Sequence, residues 1–250
     1  MSALTALWHR EVTTFLRDRA RVAGALVQPL LFWALLAFGF GPSFQGPQGE
    51  VGAVGFGAFL APGMLALVVV FTAIFTTLYV VEERTEGFLQ TVLVAPVPRL
   101  AVALGVALGG ATLAVGQAVP FALALPLLGV SLTWSGAAMV LVHLVLLGLA
   151  FTALGFVLAW RVSTTRAYHG LMNGLLMPLW LVSGAVFPVE GLAAPLAWAV
   201  RLNPVAYSVD GLRHALLGTG WASPSVDLTV AAVFGAAMLL LAAKTAERNG

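Results

Sequence analysis

The sequence predicts an all-α membrane protein with six transmembrane helices. Of its 250 residues, 60% are hydrophobic and only 9% are charged, whereas a soluble domain carries roughly 25% charged residues. The mean hydropathy of +1.00 agrees with a chain whose surface mostly faces lipid. Its charge-free runs are far longer than the roughly 10 residues of a barrel strand and do not alternate in polarity. Helices are therefore the predicted membrane-crossing elements.

Six segments are long and apolar enough to span a bilayer, which takes about 20 residues in a helix. The longest charge-free run lies between Arg99 and Arg161. It is predicted to form two spans, because Pro126, Gly129 and residues 131–135 favour a turn. The predicted spans are residues 22–40, 57–81, 101–127, 135–160, 168–187 and 227–243. Residues 1–250 are thereby predicted to form a single transmembrane domain.

The distribution of basic residues predicts the orientation of these spans. Lys and Arg collect in the cytoplasmic segments of membrane proteins. If the N-terminus is cytoplasmic, all 12 Lys and Arg residues except Arg201 and Arg213 fall in cytoplasmic segments. Both termini are therefore predicted to lie in the cytoplasm.

Three segments outside the spans have patterns of their own. Residues 1–21 predict an amphipathic helix in the membrane interface, with Trp8 and Phe15 near one face and arginines elsewhere. Residues 82–99 form the cytoplasmic loop after span two. The outer loop of residues 188–226 is too apolar for a solvated loop, and it predicts short re-entrant helices that dip back toward the membrane.

Several kinds of chemistry have no support in the sequence. There is no cysteine, no phosphate-binding G-x-x-x-x-G-K-[ST] loop and no H-E-x-x-H or G-x-S-x-G motif. A net charge of +2 is too small to indicate nucleic acid as a partner. Neither catalytic residues nor a metal site is predicted, because the histidines are scattered: they are His9, His143, His169 and His214.

Charged residues are missing from the middle of every predicted span. Ion-coupled carriers usually place a titratable group there, because a proton or sodium ion needs such a partner. No Asp, Glu, Lys or Arg occupies such a position in this sequence. The pattern argues against ion-coupled transport and indicates that energy would come from elsewhere.

Two pairs of glycines would allow close approach of helices. Gly105 and Gly109 in span three have the small-x-x-x-small spacing of helix contacts in membranes. Gly170 and Gly174 in span five repeat that spacing. Such pairs arise often in glycine-rich helices, so packing within the chain is favoured over dimerisation.

The cytoplasmic loop 82–99 combines a charged cluster, a glycine, a short apolar stretch and a proline-rich break. A solvated charged turn is one explanation, but helix connections usually take only about two to eight residues. The apolar side chains of Phe88, Leu89 and Leu93 would also be exposed to the cytosol in such a turn. A short amphipathic helix that binds another protein explains both features.

This loop resembles the coupling-helix region of type-2 ABC exporter permeases. That family has an E-R-x-x-G-[TF]-L-x-x-L-x-x-x-P-x-x-R pattern after its second span. Gln90 is a departure, because relatives often carry an acid at that position. The matching residues are Glu83, Arg84, Gly87, Leu89, Leu93, Pro96 and Arg99.

A second stretch carries the same resemblance. Residues 178–188 match the family's P-x-x-x-x-S-G-x-x-F-P pattern. The family's N-P-x-x-Y-x-x-[DE]-x-x-R pattern follows, on Asn203, Pro204, Tyr207, Asp210 and Arg213. Together with the span count and orientation, the resemblance covers essentially the whole chain and is closest to the multidrug and antibiotic-resistance branch.

The resemblance implies the membrane half of an ATP-driven exporter in the cytoplasmic (inner) membrane of a prokaryote. Two such chains pair, here expected as a homodimer, and each binds a separate ABC ATPase subunit that holds ATP and magnesium. This chain would itself hold no cofactor and would not be an enzyme. The implied ATPase-coupling residues are Glu83, Arg84, Glu86, Gly87, Phe88, Leu89, Leu93 and Pro96.

The resemblance also implies a substrate path between the two chains, lined by spans two and five. An apolar, aromatic lining suits amphipathic molecules, although each of these side chains could instead face lipid or the core. The candidate path residues are Phe71, Thr72, Phe75, Thr76, Asn173, Met177, Trp180 and Leu181. The implied outer gate, for which packing at the membrane surface is the alternative, comprises Asn203, Pro204, Tyr207, Asp210 and Arg213.

The favoured function is export of a drug-like or lipid-like substrate from the cytoplasm or the inner leaflet. Export of a lipid-linked polysaccharide is the alternative, because it uses the same architecture with a wider path. A membrane assembly factor or scaffold without transport is more distant. No reactive group of residues supports a membrane enzyme.

Overall fold

The computed structural model describes residues 3–40, 55–85 and 99–248. All regular secondary structure within these ranges is helical, which confirms the predicted all-α class. The helices are α1 (Ala3–Arg17), α2 (Arg19–Phe40), α3 (Phe56–Phe75), α4 (Leu78–Thr85), α5 (Arg99–Ala124), α6 (Trp134–Ala159), α7 (Thr165–Leu181), α8 (Ala194–Leu202), α9 (Pro204–Leu217) and α10 (Pro224–Arg248), with a 3₁₀ helix at Leu125–Leu128.

Five segments of the described chain are long and apolar enough to cross a membrane. They are Val22–Gly39, Phe56–Arg84, Leu100–Ala124, Trp134–Ala159 and Pro224–Glu247. These segments coincide with predicted spans one to four and six. Predicted span five falls on α7, which has only 17 residues and gives way to turns after Leu181. The count of six spans therefore stays a prediction.

Helix α3 is the central column of the fold. Every residue from Ala58 to Ile74 is buried, because α2, α5, α6 and α9 surround the helix. A helix that is apolar all round is expected in such a place. The exposed apolar side chains lie on outer helices, for example Phe38 on α2 and Leu240 on α10.

The N-terminal segment divides into two helices at Asp18. Helix α1 ends at Arg17, α2 begins at Arg19, and the Asp18 carbonyl oxygen accepts a 3.0 Å hydrogen bond from the Val22 N–H. Aspartate is favoured at the N-cap position that Asp18 occupies here. Helix α1 therefore ends before the predicted boundary at residue 21.

Helix α1 lies along the first half of α5. A Cβ atom at Gly105 would lie 2.7 Å from the Cβ of Leu7, and one at Gly109 would lie 2.5 Å from the Cβ of Glu11. Real side chains essentially never approach so closely, so glycine is required at both positions. The first glycine pair packs within the chain, as the sequence predicts.

The second glycine pair behaves differently. A Cβ atom at Gly170 or Gly174 would meet no atom of the described chain within 4 Å. The described residues therefore give no support to packing within the chain for this pair, which lies on a face of α7 that is exposed in the described part of the structure.

Two short helices, α8 and α9, occupy the predicted outer loop. Asn203 lies between them and joins them to α7, because its Nδ2 donates to the Leu179 carbonyl oxygen at 2.6 Å and its Oδ1 accepts from the Val205 N–H at 3.0 Å. Helix α9 is buried against α3, α6 and α10, whereas Trp198 of α8 is exposed. The predicted turn at Asn203 and Pro204 is confirmed, and the re-entrant placement of these helices stays a prediction.

Candidate functional site

The predicted coupling residues lie only partly within the described chain. Glu83 and Arg84 belong to the last turn of α4. The remaining six, namely Glu86, Gly87, Phe88, Leu89, Leu93 and Pro96, lie outside the described residues. What the structure shows is how the base of the coupling segment is attached to the rest of the chain.

Arg84 attaches α4 to the end of α6. Its guanidinium donates to the carbonyl oxygen of Trp160 at 2.7 Å and also to that of Val162. The same group lies 5.7 Å from the centre of the Trp160 ring. A cation at a helix C-terminus complements the carbonyl groups that the helix leaves unpaired. Arg84 thereby links the segment before the predicted coupling helix to α6.

Glu83 attaches α4 to α1. It forms an ion pair with Arg10, whose guanidinium lies 5.8 Å from the centre of the Tyr79 ring. Glu11 is the neighbour of Arg10 and is only 5% exposed. We call these four residues, Arg10, Glu11, Tyr79 and Glu83, the basal cluster.

The basal cluster contains a carboxyl group with an altered acidity. Burial raises the pKa of Glu11 to about 7, although a hydrogen bond with Tyr79 and the charge of Arg10 oppose that rise. The charge of Glu83 adds to it. The contact between α1 and α4 is therefore made partly by a group that titrates near neutral pH.

The predicted span two is interrupted at Thr76 and Thr77, between α3 and α4. The hydroxyl of Thr77 donates to the Ile74 carbonyl oxygen at 2.8 Å and lies 2.6 Å from the Tyr168 hydroxyl. Tyr168 in turn donates to the Gly155 carbonyl oxygen at 3.1 Å. This network fixes the interruption to α6 and α7.

The predicted path residues on α3 mostly face the interior of the single chain. Phe71, Thr72 and Thr76 are buried, and the Thr72 hydroxyl donates to the Gln117 side-chain oxygen at 3.1 Å. Phe75 is half-buried and its ring centre lies 5.9 Å from that of His169 on α7.

The predicted path residues on α7 divide between the interior and the surface. Trp180 is fully buried. Asn173 and Leu181 are exposed and Met177 is half-buried. A cavity of about 330 Å³ lies between α7 and α8, beside the exposed face, and its lining includes Gly174 and Pro178. The role of all these residues in a path stays a prediction.

The predicted gate residues at the start of α9 join the outer helices to one another. The Tyr207 hydroxyl donates to the Arg201 carbonyl oxygen at 2.8 Å. The Tyr207 ring centre lies 5.0 Å from that of Trp221, in the segment that precedes α10. Helix α8 is thereby linked through α9 to α10.

Two charged gate residues, Asp210 and Arg213, are almost completely buried. Arg213 donates to the Gly184 carbonyl oxygen at 2.8 Å and lies 4.7 Å from the centre of the Phe59 ring. Burial raises the pKa of Asp210. Hydrogen bonds from the N–H groups of Ala222 and Trp221 oppose this rise, and so do the nearby His214 and Arg213. These contacts tie α9 to α3 and to the segment before α10.

The structure brings His214 and Asp227 to Asp210, a cluster that the sequence analysis missed. His214 Nε2 lies 3.8 Å from a carboxylate oxygen of each aspartate. The spacing of Asp210 and His214, four residues apart on one helix, was a detectable signal. Asp227 comes from the next helix, so only the tertiary structure reveals it. We call these three residues the outer cluster.

These features define a class of protein: a helical, multi-spanning membrane protein with polar attachments at both ends of its helices. The family profile described as "ABC-2 type transporter" matches residues 2–217. The chain belongs to this family and is a membrane subunit of an ABC-2 transporter.

Curated relatives of this chain are similar over most of its length. Nodulation protein J of Rhizobium leguminosarum bv. trifolii is 30% identical over 89% of this chain and 83% of its own length. Nodulation protein J of Neorhizobium galegae is 28% identical over 90% of this chain and 84% of its own length. The protein of the same name from Rhizobium leguminosarum bv. viciae is 25% identical over 92% of this chain and 88% of its own length.

Proposed function

We propose that this chain is the permease of an ATP-driven exporter, which moves an amphipathic, lipid-like or drug-like substrate out of the cytoplasm or the inner leaflet. A separate ABC ATPase subunit would bind and hydrolyse ATP with magnesium. The observation that carries this proposal is the double attachment of α4. The segment before the predicted coupling helix is bound to α1 through Glu83 and to α6 through Arg84.

These two attachments suggest how force enters the membrane region. A displacement of the coupling segment by the ATPase would pull on the end of α4. Because Arg10 and the end of α6 are bonded to that end, α1 and α6 would move with it. The network of Thr77, Tyr168 and Gly155 extends the connection to α7.

A second copy of this chain is the proposed partner on the open face of α7. Gly170, Asn173 and Gly174 are exposed there, and small residues let helix backbones approach closely in lipid. The homodimer would place this face and the neighbouring cavity at the chain-to-chain interface, where the substrate path is proposed to lie. The cavity is lined by Pro178, Leu179 and Leu202, among others, and this lining suits the apolar part of a substrate.

Export of a lipid-linked saccharide is the second candidate. The relatives described above are named nodulation proteins rather than drug-resistance proteins, so their names give no support to the multidrug branch in particular. Exposed Asn173 also adds a hydrogen-bonding amide to an otherwise apolar face.

The proposed orientation places both termini in the cytoplasm and the protein in the inner membrane. The structure supports this orientation because Arg10 and Arg84 both lie near the C-terminal end of α6. Arg213, by contrast, lies in α9, which follows the predicted outer end of α7. Basic residues on one side of the membrane are the expected pattern.

Co-purification with an ABC ATPase from the same genome tests this function. The tagged chain and the ATPase are purified together, placed in lipid nanodiscs and assayed for ATP hydrolysis and subunit ratio. A complex of two permeases and two ATPases that hydrolyses ATP is expected. A chain that binds no ATPase in any nucleotide state would contradict the proposal.

The Arg84→Ala variant tests the coupling step, with Arg166→Ala as the control because Arg166 is exposed at the start of α7. Arg84→Ala is expected to assemble with the ATPase but to lose about tenfold in substrate-stimulated hydrolysis, which corresponds to about 1.4 kcal/mol. The two substrate candidates are distinguished by transport assays in proteoliposomes, with a fluorescent phospholipid as one probe and an acylated oligosaccharide as the other.

A further inference from the structure

The outer cluster has the geometry of a metal-ligand set. The ligand atoms of Asp210, His214 and Asp227 all lie within 4.8 Å of one another. Ligands that bind zinc at 2.0–2.2 Å lie about 3.4 Å apart in a tetrahedral site. The two distances of 3.8 Å from His214 Nε2 to the carboxylates are close to that separation. Small side-chain rotations would bring all three ligands to one ion.

The Asp227 carboxylate independently indicates a missing partner. Its side chain is completely buried and neither oxygen has a hydrogen-bond partner in the described chain. Buried polar groups are nearly always paired, and an isolated buried charge is strongly disfavoured. One of these oxygens faces His214 Nε2. This carboxylate, which accepts no hydrogen bond within the described chain, therefore points into the same cluster that the other two ligands form.

Asp210 is held in position for the same role. The backbone N–H of Trp221 donates to both carboxylate oxygens at 3.1 Å, and that of Ala222 donates to one at 2.9 Å. Each carboxylate oxygen has further acceptor capacity. Hydrogen bonds from outside the ligand set orient ligands at metal sites in this way.

The local backbone completes the surroundings of His214. The Ala222 carbonyl oxygen lies within hydrogen-bond distance of Nε2, at 2.8 Å, and offers a fourth ligand atom. A Cβ atom at Gly220 would lie 2.6 Å from the imidazole Cδ2, so the ring occupies space that only glycine leaves open. When Nε2 binds a cation it releases its proton, and the neutral ring keeps its other proton on Nδ1.

A cavity of about 230 Å³ lies beside the cluster, between the start of α6 and α9. Its lining includes Ser135, His143, His214 and Pro224. One of the three ligands, His214, therefore borders open space. A metal site needs an entry path, and this cavity would supply it on the side of His214.

We propose that Asp210, His214 and Asp227 bind a divalent transition-metal ion of the zinc type, at the end of α6 opposite the basal cluster. An imidazole combined with carboxylates suits zinc, whereas magnesium and calcium prefer oxygen ligands alone. The ion balances two buried carboxylates. It joins α9 to α10 across the segment 218–223.

The direct test is metal binding by the purified wild-type chain. The protein carries a purification tag without histidine, is stripped with a chelator in detergent and is titrated with Zn²⁺. Bound metal per chain is measured by mass spectrometry after gel filtration, and thermal unfolding is followed in parallel. One zinc ion per chain and a higher unfolding temperature with Zn²⁺ are expected. Wild-type protein that retains no zinc would overturn the proposal without recourse to any variant.

Variants locate the ion. Asp227→Asn and His214→Gln are each expected to weaken Zn²⁺ binding at least about 100-fold, the upper end of losses seen when a supporting residue is removed. The control is Glu190→Gln, which removes an exposed acid from the turn before α8 and should bind as the wild type does. Equal binding by all three variants would place the ion elsewhere and overturn the assignment.

Discussion

The indole Nε1 of Trp180 on α7 donates a hydrogen bond of 2.7 Å to the carbonyl oxygen of Gly63 on α3. Both residues are completely enclosed in the fold. A Cβ atom at Gly63 would lie 2.6 Å from the Cβ of Ala185, just after α7. This close approach fixes α7 and the turns after it to the central column of the protein.

Trp180→Phe should destabilise the protein by at least about 1 kcal/mol, the usual net value of one buried hydrogen bond, because the donor is lost and the smaller phenyl ring also leaves a cavity in the buried site. Thermal unfolding in detergent measures this. Trp198→Phe is the matched control, since Trp198 is 62% exposed on α8. Equal unfolding temperatures for the two variants would show that the hydrogen bond contributes little.

Gly109→Val should displace α1 from α5. The new Cβ would lie 2.5 Å from the Cβ of Glu11, and overpacking of this kind costs about 1–3 kcal/mol. The chain has no cysteine, so a spin label on a single Thr14→Cys substitution reports the mobility of α1. Greater mobility is expected.

Gly116→Val is the control for that variant, because Gly116 lies on the same helix and a Cβ atom there meets no described residue within 4 Å. It makes the same change in helix propensity without the clash. If both variants leave the label equally immobile, α1 does not depend on the contact at Gly109.

The attachment of α1 should weaken as the pH rises from about 5 to 7. The pKa of Glu11 is raised from 4.5 to about 7 in the folded protein, so docked α1 holds more protons than released α1 in that range. Docking of α1 is most favourable near pH 5. Its free energy becomes less favourable by about 3 kcal/mol as the pH rises to 7, and it does not change further at higher pH. The mobility of the label at Thr14 measures the change.

Glu11→Gln should remove this pH dependence and hold α1 more firmly at pH 8. Glu190→Gln, an exposed acid distant from α1, should keep the wild-type profile. A wild-type label whose mobility is the same at pH 5 and pH 8 would contradict the role assigned to Glu11.

Gly174→Leu should weaken dimerisation about tenfold while the fold of each chain is unchanged. The new side chain meets no atom of residues 3–40, 55–85 or 99–248 of its own chain within 4 Å at Cβ, but it would separate two α7 helices that pack through their small residues. Sedimentation in detergent gives the dimer affinity, and Gly116→Leu is the control. An unaffected dimer would exclude this face of α7 as the interface.

Hydrophobic run length predicted most of the fold. Helices long and apolar enough to cross a membrane coincide with predicted spans two, three and four to within a few residues, because about 20 apolar residues without charge have few alternatives to a helix of this kind. The fifth was harder, because regular helix ends at Leu181, before the apolar run ends, and Gly184 beyond it has a positive φ.

Side-chain roles were less predictable than helices. Trp180 was predicted to line a path because the family resemblance implies a path along spans two and five, yet only the tertiary structure shows its hydrogen bond to a residue 117 positions away. The partners of Arg84 and Glu83 on α6 and α1 were equally hidden. Local sequence pattern carries no information on contacts between distant segments, which is why Asp227 was also missed.

The interruption at Thr76 and Thr77 divides the candidate span Phe56–Arg84 into two helices of unequal length, α3 and α4, which can move separately. At 1.5 Å per residue, α3 is about 30 Å long and α4 is about 12 Å long. Since α3 is enclosed on all sides, a rotation of about 10° at the two threonines would shift the tip of α4 by about 2 Å and leave the longer arm in place. Helix α4 can therefore tilt while α3 stays fixed. The distance that Arg84 moves for a given rotation is set by its distance from Thr76 and Thr77, and so by the position of these two threonines in the sequence.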